Sequence, residues 1–64
     1  MNKEFKDLFK GQVFDYEFMF NDVFIRGIKK SSRTALMFLD KDDHFIMYFS
    51  KNTKVRETNI FTVI

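Results

Sequence analysis

The chain contains no cysteine, no proline and no tryptophan, and only two glycines, among 64 residues. Without cysteine, disulfides cannot brace the fold and no Cys-based metal site can form. Without proline, edge strands lose one of their usual guards against pairing with another chain. No apolar run approaches the roughly 18 residues needed to cross a bilayer. Met1-Asn2-Lys3-Glu4 lacks the apolar core of a signal peptide. A cytoplasmic location is the expectation. Charge of one sign is also scarce. Eleven Lys and Arg against nine Asp and Glu give +2, too little for a generic polyanion-binding tail. No nucleophile elbow or glycine-rich phosphate loop occurs. His44 is the only histidine, so a His-centred triad would have to use it, with Ser50 or a neighbour as nucleophile. No enzyme, catalytic residue, cofactor or small-molecule substrate is expected.

What the chain has in excess is aromatic surface: ten Phe, two Tyr and four Met. Each buried aromatic removes roughly 150–250 Å² from water. A single domain over residues 1–64 cannot hide all of that in its own interior, because so short a chain buries only about 60% of its unfolded surface. Homo-oligomerisation follows as the expected outlet.

The clearest pattern runs from Val13 to Lys30. Phe14, Tyr16, Phe18 and Phe20 alternate with Val13, Asp15, Glu17 and Met19, the period of a strand buried on one face. With Asn21-Asp22 as a two-residue turn, Phe20 faces Val23, Phe18 faces Ile25 and Tyr16 faces Gly27. Glu17 then lies opposite Arg26 on the other face. Upstream, Phe5, Leu8 and Phe9 at i, i+3 and i+4 predict a short amphipathic helix over 2–10, capped by Asn2 and stopped by Gly11. Strands are expected at 12–20, 23–30, 34–39, 44–50 and 55–64. A symmetric turn within Asp40–Asp43 pairs Phe38 with Phe45 and Leu36 with Met47, leaving Met37 with Ile46 and Ala35 with Tyr48 on the opposite face. Ile60, Thr62 and Ile64 alternate with Phe61 and Val63 in the last strand.

A helix followed by five strands is the layout of the Sm-like small barrel. Asn21-Asp22-Val23-Phe24-Ile25-Arg26-Gly27 resembles the first hairpin of the bacterial Sm-like RNA chaperone Hfq, and Arg56 to Ile64 is similar to that family's last strand. The resemblance implies a mainly β fold, a short N-terminal helix and a five-stranded antiparallel SH3/Sm-like small barrel, with Gly27 bending the second strand. It also implies a ring or dimer that binds single-stranded RNA or another nucleic acid. Glu57 and Thr58 stand where the RNA chaperone carries a Lys-His pair.

Two basic loops supply the candidate contacts to nucleic acid: Lys29, Lys30 and Arg33 in one, Lys51, Lys54 and Arg56 in the other. Cations near aromatics clamp a phosphate backbone while bases stack on rings. Solvated charged loops are the plainer reading of the same residues. Tyr48, Asn59, Ile60, Phe61, Thr62 and Val63 are the candidate oligomer interface, because a strand running to the last residue can pair with another chain. Asp40, Asp42, Asp43 and His44 cluster without the glycine and closing glutamate of a calcium loop, so they read as a solvated turn and no metal site is expected. The alternative function is a protein-interaction module of the kind encoded by phages or mobile elements. Such a module binds and modulates a host protein through an aromatic surface or an open strand edge.

Overall fold

The computed structural model describes residues 2–18 and 23–62. It is mainly β: one open six-stranded antiparallel sheet in the order β1-β6-β2-β3-β4-β5. The strands are β1 Asn2–Glu4, β2 Gln12–Phe18, β3 Val23–Lys29, β4 Thr34–Phe38, β5 His44–Tyr48 and β6 Lys54–Phe61. The sheet curls around its own inner face, and the molecule measures 24 × 23 × 21 Å. It is not the closed five-stranded barrel expected from the sequence, nor does a helix precede it.

Where the helix over 2–10 was expected, β1 pairs with β6 and a single 3-10 turn, Phe5–Asp7, follows. A nine-residue helix is marginal in water. Here its backbone donors find better partners: Phe5 N–H donates to Thr53 O at 2.8 Å and Lys6 N–H to Lys51 O at 2.9 Å. The Asp7 carboxylate accepts from Glu4 N–H at 3.3 Å. A period of three still brings Phe5 and Leu8 together, and both are buried. Phe9, the i+4 member, is left 70% exposed. Gly11 has φ 87°, a backbone only glycine takes readily, and its carbonyl accepts from both Thr62 N–H and Thr62 Oγ1.

The first hairpin keeps the expected faces but slips by two residues. Phe18 pairs with Val23, Tyr16 with Ile25 and Phe14 with Gly27. A slip of two preserves which side chains point inward. It also replaces the Glu17–Arg26 pairing by Asp15–Arg26, whose ion pair is 3.1 Å long. The Asn21-Asp22 turn and Phe20 lie outside the described residues.

The second hairpin slips by one, which exchanges its faces. Phe38 pairs with His44, Met37 with Phe45, Leu36 with Ile46, Ala35 with Met47 and Thr34 with Tyr48. The cause is a five-residue loop, 39–43, in place of a symmetric turn. Asp40 Oδ1 accepts the N–H groups of Asp42 and Asp43, and Leu39 N–H donates to Asp43 O, so aspartate chemistry sets the loop length.

The core is aromatic. Phe5 and Phe49 stack at 4.6 Å, while Phe14 and Tyr16 meet Phe49 edge-on at 5.6 and 5.2 Å. Met37, Ala35, Ile25 and Val55 complete it. Each of the Phe, Met, Ile and Val side chains among them contributes about 1.5–3 kcal/mol when fully buried. In β6 the alternation breaks at a bulge. Phe14 pairs with Glu57 but Gln12 with Phe61, so Thr58 to Ile60 bow out opposite Val13. Thr58 Oγ1 donates to Val13 O at 2.6 Å and Gln12 Nε2 to Thr58 O at 3.0 Å. Ile60 and Phe61 are both exposed. Among the described residues, no helix is long and apolar enough to cross a membrane.

Candidate interaction surface

The outer face of the sheet grades from charged to apolar across its width. On β2 it presents Asp15 and Glu17; on β3, Phe24, Arg26 and Ile28. On β4 it presents Thr34, Leu36 and Phe38, and on β5 His44, Ile46 and Tyr48. Register aligns Val13, Ile28, Leu36 and Ile46 into one row across four strands. Val13 is buried, Ile28 and Leu36 are half-buried, and Ile46 at the sheet's end is 54% exposed. Beside that row lie Tyr48, 78% exposed, and the tilted ring pair Phe38–His44 at 6.2 Å. This apolar half ends at β5, which closes the sheet order and, among the described residues, pairs only with β4. The inner face of the same strands carries Ala35 and Met37, both fully buried.

The basic residues are dispersed. Lys29 points into the core, not toward solvent. Its Nζ donates to Phe5 O at 2.9 Å and Leu8 O at 2.8 Å and sits 4.7 Å from the Phe5 ring centroid. Burial holds the Lys29 ammonium below the usual lysine range, with Asp7 opposing that shift. This lysine fastens the N-terminal turn to β3 and is withdrawn from the phosphate-facing set. Lys30 is half-buried. Arg33 is exposed, and its Nε donates to Phe49 O at 2.7 Å while its own carbonyl accepts from Phe49 N–H. That exchange, with the Lys6–Lys51 backbone bond, draws the loops bearing Arg33 and Lys51 to one end of the molecule. Lys54 pairs with Glu4 at 3.1 Å and Lys6 with the same carboxylate at 3.3 Å. The two cations hold Glu4 below its ordinary pKa, Lys54 contributing most. Arg56 lies elsewhere, its guanidinium 4.2 Å from the Phe24 ring centroid.

The expected oligomer residues separate into two places. Tyr48 is on β5, whereas Asn59, Ile60 and Phe61 lie at the bulged end of β6, where the Phe9 and Phe61 rings meet at 6.4 Å. Thr62 is half-buried against Gly11, and Val63 lies outside the described residues. No group of three or more His, Cys, Asp or Glu placed to hold a metal occurs among the described residues.

The Ile28–Leu36–Ile46 row is the feature that sequence reading missed, because the one-residue slip in the second hairpin assigns Ile46 and Met47 to the wrong faces. Asp40 followed by Asp42 and Asp43 was the available signal for an odd-length loop. Comparison with family models, with curated proteins and with solved structures gave no match.

Proposed function

We propose that this chain is a non-enzymatic protein-interaction module whose docking surface is the outer face of β4 and β5. The observation that carries this reading is the contiguous apolar set Ile28, Leu36, Phe38, Ile46 and Tyr48, turned away from a core that is complete without it. Aliphatic residues in a row suit the side chains of a protein better than the flat faces of bases. A photoreactive amino acid at Tyr48, in extract of the protein's own source, should cross-link through a nuclease-resistant adduct to one protein that is not a second copy of this chain. The same group at Lys41, on the 39–43 loop, should not. Cross-linking that vanishes with nuclease, or that is equal at both positions, contradicts the reading.

Nucleic-acid binding is the second reading, favoured by the convergence of the Arg33 and Lys51 loops and by the Sm-like resemblance. Its signature is salt. Each phosphate contact on a single strand should add about 0.7 to the log–log salt slope of affinity. Lys51→Ala should lower that slope while leaving stability almost unchanged, since exposed charges contribute little to folding. Arg33→Ala should lower it and also cost stability, because Arg33 Nε is the donor to Phe49 O. No binding of A- or U-rich RNA, or of DNA, at low salt would exclude it.

A further inference from the structure

We infer that two copies of this chain pair antiparallel through β5, about a two-fold axis at Ile46. Three observations on the sheet edges carry this.

The first is that β5 is the unguarded edge. His44-Phe45-Ile46-Met47-Tyr48 contains no Lys, Arg, Asp, Glu or Pro and no bulge, the devices that ordinarily stop an edge from pairing. The second concerns the other end of the sheet, which is guarded. There β1 is only three residues long, and its Lys3 and Glu4 are engaged in ion pairs with Glu57, Lys6 and Lys54. The part of β6 beyond β1 is bowed by the bulge at Thr58 to Ile60. One open edge leaves like-with-like pairing, and that closes as a dimer instead of growing into a chain.

The third observation fixes the register. Both cores stay on one side of a merged sheet only when an inward residue faces an inward residue. Of the registers that satisfy this, one pairs all five residues of β5. It sets Ile46 beside the second copy's Ile46, Phe45 beside its Met47 and His44 beside its Tyr48. The outer row Ile28–Leu36–Ile46 then runs unbroken into its symmetry mate, and no like charges meet across the junction. The excess aromatic and aliphatic surface of a 64-residue chain gains cover.

The inference does not depend on the docking reading and is tested on purified protein alone. The absence of native cysteine makes single cysteines clean reporters. Directly paired strand residues lie within disulfide reach, whereas residues four positions out of register do not. Under mild oxidation Ile46→Cys should convert largely to a covalent dimer, and Tyr48→Cys, which faces His44, should stay monomeric on the same gel. Sedimentation of the parent should give twice 7.8 kDa, and its melting temperature should rise with concentration. Ile46→Lys, placing like charges opposite each other, should sediment at 7.8 kDa with an unchanged circular dichroism spectrum. A parent that is monomeric at every concentration, or equal cross-linking of both cysteine variants, would overturn the β5 dimer.

Discussion

Replacing Gly27 with valine should destabilise the protein by about 2 kcal/mol or more, the range of overpacked core sites. Gly27 is buried on the inner face of β3, opposite Phe14 on β2 and Met37 on β4. A side chain there would collide with Met37 Sδ and approach Met37 Cε to 3.0 Å and Phe14 Cζ to 3.1 Å. A methionine end is mobile in principle, but Met37 is fully buried and Phe14 with it, so neither can swing out to solvent, and a close-packed interior resists the shift. For a domain of this size the loss corresponds to a drop of roughly 8–16 °C in melting temperature, readable by calorimetry. A variant that melts with the parent would mean that Gly27 does not lie between those two side chains.

Lys29→Met should cost about 2–4 kcal/mol, although the change is from a cation to an apolar side chain of similar length. It leaves the carbonyls of Phe5 and Leu8 without the donor that Nζ supplies, and an unmet buried acceptor is more expensive than a hydrogen bond is favourable. The pH dependence separates this from simple loss of packing. The folded pKa lies below the ordinary value of 10.5 because burial disfavours the charged form. Between the folded and unfolded values the unfolded chain holds the additional proton, so stability rises with pH across that window. A neutral amine still donates to both carbonyls. In urea unfolding followed from neutral pH toward 10.5, the gap between parent and Lys29→Met should widen. A gap that narrows would indicate that the attraction of Asp7 outweighs burial at this lysine, the reverse of the balance that lowers its pKa.

The period of two in Val13–Phe18 was enough to read β2 and β3 and their inward face, because a two-residue slip leaves the faces intact. The same alternation in β4 and β5 misled, since both of their faces are apolar and only the loop length distinguishes them. Phe5, Leu8 and Phe9 carry helical spacing, yet pairing with β6 and the Thr53 and Lys51 carbonyls outweighs what so short a helix gains. The bulge at Thr58 to Ile60 depends on the Gln12 side chain reaching the Thr58 carbonyl and the Thr58 hydroxyl reaching the Val13 carbonyl, across strands far apart in sequence, which no local pattern encodes. Lys29 read as a surface cation by its neighbours Lys30 and Arg33. Its place inside follows only from the alternation of β3, where residues 25, 27 and 29 share the inner face. The exposed apolar face of β4 and β5 was legible as excess aromatic content but not as a location.

The division of β4 and β5 into a buried and a free face underlies both the proposed docking surface and the proposed dimer. Maleimide labelling of single cysteines under native, reducing conditions tests it most directly. Tyr48→Cys and Leu36→Cys should react with the folded protein, whereas Met37→Cys should react only as fast as the protein unfolds. Labelling of Met37→Cys at the rate of Tyr48→Cys, or protection of Leu36→Cys to the level of Met37→Cys, would contradict it.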